Sequence, residues 1–454
     1  MDSSVINDDE PANRQDHAYA WIVCLILMLC LTFSYMDRTI LSLLFVPIER
    51  ELHLNDTTLS LLQGTAFGLF YSLFGLPVAR LTDAHHRRNL LIVGVGIWCG
   101  ATAFCGLVNS AALLFLGRVC VALGEAVVMP ASVSILADYF SIRRRMRALN
   151  VFTIGVYLGG GLSLFIGGLI LRAVGQSGLV VPLVGHLSSW RVVMIAIGSA
   201  GLGLIPLLLC VREPKRLDER GRDAGARLSL RQVLVVFSRY RLAVFSTVFG
   251  FGLISMASQS ISTWMPTLFI RSHGWSSSSI GLTLGVITLV AGPLGAITGA
   301  LISERLAARG WISGKLMLGA ASALGCAVFV VIITLAPDRL ALAATMGLQF
   351  IVAFNFGAVQ AALTEILPNR VRGLGTALYL ISGNLMNALL GPVLIGLLTE
   401  HVFHDPAALP LSMRLVGPTV FVLATLVLVM GSRAYRDGVL SQRKLATVDP
   451  AWVA

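Results

Sequence analysis

The 454-residue sequence is short of charge: Asp, Glu, Lys and Arg make up 13% of it, where a soluble domain carries roughly 25%. That deficit excludes an ordinary water-facing globular surface. Histidine is absent from the long apolar runs, since His17, His53, His85, His86, His186, His273, His401 and His404 all fall in loops or tails. With no imidazole in those runs, an intramembrane hydrolase of the Ser–His or zinc type has no partner residue. There is no Gly-x-x-x-x-Gly-Lys motif, so ATP is not a direct energy source. Gly159-Gly160-Gly161 follows no strand and is not a phosphate loop. Cys24, Cys30, Cys99, Cys105, Cys120, Cys210 and Cys326 all lie inside apolar runs. They read as small buried hydrophobes, not as a disulfide framework or a metal site. The opening residues, with Asp2, Asp8, Asp9, Glu10 and Asp16, are acidic and polar, so no signal peptide is expected there.

What fills the sequence instead is hydrocarbon: 56% of residues are hydrophobic, and the mean hydropathy is +0.82. A membrane-spanning helix needs about 20 mainly apolar residues. Twelve such runs occur, at 19–46, 58–80, 89–108, 111–137, 149–171, 190–211, 241–270, 279–302, 313–336, 339–366, 373–398 and 413–434. The fold class expected is an all-α membrane protein. Its parts are an N-terminal tail (1–18), a six-helix bundle (19–211), a linker (212–240), a second six-helix bundle (241–434) and a C-terminal tail (435–454).

The net charge of +11 does not point to nucleic acid, because the basic residues sit in short clusters between the runs. With both termini cytoplasmic, 26 Lys and Arg fall on the cytoplasmic side and six on the other: Arg50, Arg172, Arg191, Arg271, Arg339 and Arg414. This asymmetry predicts a multi-pass inner-membrane protein with both termini inside.

The two halves echo one another. Asp83 after span 2 and Glu304 after span 8 each precede an arginine by five positions (Arg88, Arg309), and Asp138 and Glu365 precede Arg145 and Arg372 by seven. Internal duplication around a long central linker is a transporter architecture. Asp83, Arg87, Arg88, Asp138, Arg145, Glu304, Glu365 and Arg372 are therefore candidates for a cytoplasmic gate, with ordinary positive-inside topology as the plainer reading of the loop between spans 2 and 3.

The two remaining basic residues, Arg38 and Arg118, lie inside spans, as do the acids Asp37 and Glu125. All four are in spans 1 and 4. A charge at mid-bilayer costs about 3 kcal/mol by insertion scales, so they must pair or meet water. Arg118 and Glu125 are two turns apart on one face of span 4. Asp37 and Arg38 diverge by about 100° around span 1, so one of the two points straight at a cavity. One reading is a titratable transport site: a carboxylate beside an arginine keeps its charge, and withdrawal of the arginine favours the protonated form. The other is a static ion-pair network locking spans 1 and 4. Tyr35 in span 1, Asn355 and Gln360 in span 10, and Asn384 and Asn387 in span 11, are candidates either for cavity lining or for interhelical hydrogen bonds.

These residues carry a family resemblance. Ala79–Arg88, through Leu81, Asp83, Arg87 and Arg88, is similar to the loop 2–3 motif of the major facilitator superfamily, with Ala79 and His86 in place of its two glycines. Ser34-Tyr-Met-Asp37-Arg38, Arg118 with Gly124-Glu125-Ala126 and Pro130, Asp138-Tyr-Phe140 with Arg147-Ala148-Leu149, and Trp264-Met-Pro266 resemble the Spinster-like branch, with Ala122 where a glycine is usual. The resemblance implies two pseudo-symmetric six-helix bundles and alternating access. It implies an amphipathic substrate of lysophospholipid or sphingoid type, and Asp37, Arg38, Arg118 and Glu125 as the proton-sensitive, head-group part of the pathway. The uncharged second half would then be an apolar wall for an acyl chain. No cofactor beyond a coupling proton, no metal and no nucleic acid is expected. The expected partners are membrane lipids and a small amphipathic or anionic substrate, and the expected state is a monomer. An organic-anion or sugar-acid symporter, a drug–proton antiporter and a non-transporting receptor or sensor are the alternatives.

Overall fold

A computed structural model describes residues 13–214 and 237–448, except 176, 183, 184, 369, 370, 372–374, 376, 377, 380, 381, 388 and 389. Among these, eleven helices are long and apolar enough to cross a membrane, and a bent pair makes a twelfth. In chain order they are span 1 (Ala18–Leu43), span 2 (Asp56–Gly75 with Pro77–Ala84), span 3 (Arg87–Cys105), span 4 (Ala111–Tyr139), span 5 (Arg144–Val174) and span 6 (Ser189–Leu209). The second set is span 7 (Arg241–His273), span 8 (Ser277–Ala308), span 9 (Gly314–Leu335), span 10 (Asp338–Ile366), span 11 (Ser382–Val402) and span 12 (Pro406–Gln442). Most of the 212–240 linker lies outside the described residues. The last helix continues to Val448 with Tyr435 and Val439 buried, so the segment read as a C-terminal tail begins as helix. A small antiparallel hairpin, β1 (Leu179–Val181) with β2 (Gly185–Leu187), joins spans 5 and 6.

Span 1 packs on span 5, and span 3 on spans 4 and 6; in the second set, span 12 packs on spans 7 and 9, and span 10 on spans 8 and 9. This gives two six-helix bundles. They meet along spans 5 and 8, and where the first turns of span 2 lie against span 11. One buried cluster belongs to the first bundle alone, around Leu27, Leu31, Trp98, Val121 and Phe152. The other fills the second bundle and crosses into the first through Leu41, Phe45, Ile48 and Leu59. At that crossing the Phe45 and Trp264 rings meet edge to face, 5.3 Å apart. The apolar seal between the bundles therefore sits at the end opposite the termini.

Candidate functional site

Backbone irregularities position the site. Span 4 is interrupted immediately after Glu125: one helix ends there and the next begins at Val128. Pro130 explains the break, since it has no N–H to offer the Ala126 carbonyl four residues back. Beside it, Gly124 lies so close to span 3 that a Cβ would stand 2.7 Å from the Gly94 carbonyl oxygen. This contact sets the depth at which Glu125 enters the bundle. Span 2 contains a π-helical turn, Thr65–Leu69, ahead of the bend at Pro77. Such turns gather at functional sites, and this one carries Phe67.

Two ion pairs cross between spans 1 and 4. Arg38 Nε donates to Glu125 Oε2 at 2.7 Å, and Ser34 Oγ donates to the same oxygen at 2.7 Å. Arg118 Nη1 lies 3.6 Å from Asp37 Oδ1, a loose contact, while Thr102 of span 3 donates to Asp37 Oδ2 at 2.8 Å. Neighbours in sequence thus pair with different partners, as the divergence around span 1 requires. Arg38 is the outward member: its side chain is 20% exposed, against 0% for Glu125 and Arg118 and 2% for Asp37. Its guanidinium lies 4.8, 4.7 and 4.5 Å from the ring centroids of Tyr35, Phe67 and Tyr71. Gln63 Nε2 donates to the Arg38 carbonyl at 2.8 Å and ties span 2 to this point. The quartet is under-bonded. Asp37 Oδ1, Glu125 Oε1, and Arg118 Nε and Nη2 are buried and make no hydrogen bond. A buried group left this way costs about 1–3 kcal/mol, which suits a site whose partners change better than a fixed lock.

The residues read as gate elements divide by location. Arg87 is buried and bonds Asp138 and Ser134 of span 4, Glu213 at 2.7 Å and the Pro214 carbonyl. The Arg88 N–H donates to Glu213 Oε2 at 2.9 Å. Burial raises the Glu213 pKa, but hydrogen bonds from Arg88 and Arg87 outweigh it and hold the carboxyl below the usual range. Arg145 donates to the Ala137 carbonyl, and Glu365 takes bonds from Lys315 and Tyr435. Asp83 and Glu304 are exposed and have no hydrogen bond or ion pair among the described residues; Arg372 lies outside them. Of the cavity candidates, Tyr35 stacks on Arg38. Asn355 bonds Ser322, and Asn387 donates to Ser255 at 3.0 Å. Asn384 is half-buried with no bond among the described residues, and the Gln360 side chain lies outside them. Span 7 adds an exposed Gln259, which donates to Thr263. The second half therefore carries amide and hydroxyl groups: Asn355 and Asn387, which the sequence offers as candidates, are bonded, and Gln259 joins them.

A second charged site joins the halves at the end opposite the termini. Arg271 of span 7 grips both Asp56 oxygens, at 2.9 and 2.6 Å, and Glu49 at 2.8 Å. Glu400 of span 11 accepts from Asn55 Nδ2 at 2.6 Å and the Thr57 N–H at 3.0 Å. The Thr57 amide is one of the free donors at the start of the Asp56–Gln63 helix, where a carboxylate is favoured. Five hydrogen bonds join the two bundles at this end. Sequence reasoning missed this latch, because Arg271 counts there only as one of six outer basic residues and its partners lie more than 200 positions away.

Residues 27–391 match the family model described as Major Facilitator Superfamily. A protein of Mycolicibacterium smegmatis named "MFS-type efflux pump" is 28% identical over 445 residues, covering 92% of this chain and 95% of that one. The "Sphingosine-1-phosphate transporter SPNS2" of Danio rerio is 24% identical, covering 88% and 80%. "Protein spinster homolog 1" of Homo sapiens is 27% identical, covering 84% and 72%. Among solved structures, a bacterial homologue of the human lysosomal transporter Spinster, inward-facing and unoccupied, superimposes with a TM-score of 0.74 at 24% identity, covering 94% of this chain and 98% of its own.

Proposed function

Because the chain belongs to the Major Facilitator Superfamily and is a Spinster-like transporter rather than an enzyme, we propose that it is a proton-coupled secondary carrier. Its substrate is an amphipathic anion of lysophospholipid or sphingoid-phosphate type, moved across the inner membrane by alternating access. The observation that carries this reading is Arg38: the one partly exposed member of a balanced buried quartet, sharing its guanidinium with Glu125. A phosphate or carboxylate head group suits the planar guanidinium edge that Glu125 leaves free. When such an anion takes Arg38, the Glu125 charge loses its counter-ion and the protonated form is favoured. Conversely, a proton on Glu125 releases Arg38 to the anion. The two binding events assist one another equally, as linkage requires. Asp37 and Arg118 form the inner pair, and Thr102 fixes the Asp37 carboxylate against span 3.

The surplus of basic residues beside the termini supports a cytoplasmic location for both. The Arg271 latch then closes the outer face, and the cycle must break it. The test is transport into liposomes holding purified protein, with an imposed pH gradient. Oleoyl lysophosphatidylglycerol should move in proportion to the gradient. Movement of sugar acids with none of the lysolipid would overturn the lipid reading and leave a symporter of small organic anions. The mycobacterial relative's name, an efflux pump, favours a second reading, a drug–proton antiporter, for which a cationic drug is the natural probe. Such a cation would compete with Arg38 for Glu125 and the surrounding rings, and pH-driven ethidium movement in the same liposomes would favour it.

A further inference from the structure

Arg38 has two sets of neighbours, and the proton-coupled reading uses only one. On one side is Glu125. On the other are three aromatic faces, Tyr35 from span 1 and Phe67 and Tyr71 from span 2, all with centroids within 4.8 Å of the guanidinium carbon. Phe67 and Tyr71 are stacked, with centroids 5.5 Å apart, and Phe67 also lies 5.4 Å from the Arg118 guanidinium. A carboxylate and an aromatic face attract a cation differently. The first loses its hold on protonation; the second, a ring quadrupole, does not change with pH and strengthens where water is excluded. The π-helical turn delivers the rings: Phe67 lies within Thr65–Leu69, and Tyr71 follows in the next turn.

We propose that Tyr35, Phe67 and Tyr71 form a neutral counter-site that keeps Arg38 in place when Glu125 takes up its proton. It rests on the proton-coupled head-group reading and adds a division of labour. Glu125 holds Arg38 in the empty, deprotonated site. The rings hold it in the protonated site, so the guanidinium edge stays presented to the incoming anion instead of swinging toward water at a cavity mouth. Phe67, Tyr71 and Tyr35 are positioning residues in this scheme, and Arg38 alone touches the head group. The other charged or titratable groups facing this point are Asp37 on span 1, Arg118 on span 4, Cys99 on span 3 and Tyr157 on span 5. Each remains in place in the variants below, so a difference between backgrounds reports the pairing of Arg38 with Glu125.

The test is a double-mutant cycle read by equilibrium binding of oleoyl lysophosphatidylglycerol to detergent-purified protein. Its phosphodiester charge does not vary between pH 5.5 and 7.5. Glu125→Gln fixes the protonated condition. In that background Tyr71→Leu should weaken binding roughly tenfold. In the native background at pH 7.5, where Glu125 still holds Arg38, the same change should cost less than about threefold. Tyr71→Phe, which keeps the ring, should match the parent in both. Equal losses in the two backgrounds would make the rings ordinary cavity wall and overturn the proposal, as would a Tyr71→Phe loss equal to that of Tyr71→Leu. Tyr71 is half-buried, which favours folding of its variants, and Phe67→Leu gives a second reading of the cycle. A different failure marks the underlying reading: if Glu125→Gln binds the lysolipid no better than native protein at pH 7.5, the anion and the proton are not linked at all.

Discussion

Three arginines at the ends of spans contrast with one inside a span, while Arg145, at the start of span 5, also keeps a buried Nε with no hydrogen bond among the described residues. Arg87, Arg191 and Arg271 sit at span ends, and none has a buried nitrogen without a partner. Arg191 is the fullest case, bonding Glu51 at 2.7 Å, the Val108 carbonyl at 2.7 Å and Asn109 at 2.7 Å. Burial raises the Glu51 pKa, but the nearby Ser188 hydroxyl and bonds from Arg191 and Trp190 prevail and hold the carboxyl below the usual range. Arg118, fully buried in mid-span, has a loose carboxylate contact and two nitrogens with no hydrogen bond. Water can reach the ends during folding and reward a completed network. In mid-membrane an incomplete network is expensive, so its persistence there fits the proposed site in which partners exchange. The three saturated arginines tie span ends to their neighbours; Arg118 is the arginine that the proposed cycle would use.

The largest effects should fall on the unsaturated site. Asp37→Asn and Glu125→Gln each remove a titrating group while keeping its shape. Both variants should fold, as read by monodisperse elution in detergent, and both should lose pH-dependent uptake by at least roughly tenfold, since one charge-assisted bond carries about 1.5–3 kcal/mol. Full pH-driven activity in both would mean that the quartet is a static lock, and the contrast with the span ends would collapse.

The sequence is most legible where one helix or one run contains the whole signal. Length and hydropathy mark all twelve spans, and intramembrane charge marks Asp37, Arg38, Arg118 and Glu125, because a charge in an apolar run is anomalous wherever its partner lies. The pairing is less legible. Periodicity puts Arg118 and Glu125 on one face of span 4, yet each answers to a residue of span 1. The latch was hidden for the opposite reason: Glu49, Asp56, Arg271 and Glu400 stand where charge is normal, and only folding joins them. Phe67 and Tyr71 were hidden among apolar residues, their role set by a π-helical turn that no composition rule reveals. Asp83, by contrast, is conspicuous in its motif and is exposed without a partner among the described residues.

At the saturated outer latch the expected effect is smaller and concerns stability. Arg271→Ala strips the cation from Asp56, which is only 5% exposed, and from Glu49. A partly buried pair broken from one side loses on the order of 3 kcal/mol. Hydrogen exchange should rise in 45–58, and the added change Asp56→Asn should restore part of the loss by removing the stranded charge. Arg271→Lys should recover less than half, since an ammonium cannot repeat the two-pronged grip on Asp56. Unaltered exchange in Arg271→Ala would mean that the Phe45–Trp264 seal alone closes this end, and that saturation of an arginine says nothing about its load.

The smallest effect lies at Glu213, where the network is saturated but open to water. Its carboxyl is held below the usual range in the folded state by Arg88 and Arg87, against the opposing pull of burial. A lowered carboxylate contributes stability above its unfolded pKa, near 4.3 for a glutamate, and that contribution is lost as pH falls through the lower folded value. Glu213→Gln should therefore be less stable than the native protein at pH 7 by no more than ~1 kcal/mol after solvent screening. The gap should close as the pH is taken below the ordinary carboxylate range. Thermal unfolding midpoints of the two proteins at a series of pH values measure this directly. A gap that stays constant with pH would assign Glu213 a steric role, and would remove Arg87 from the arginines whose satisfaction is electrostatic.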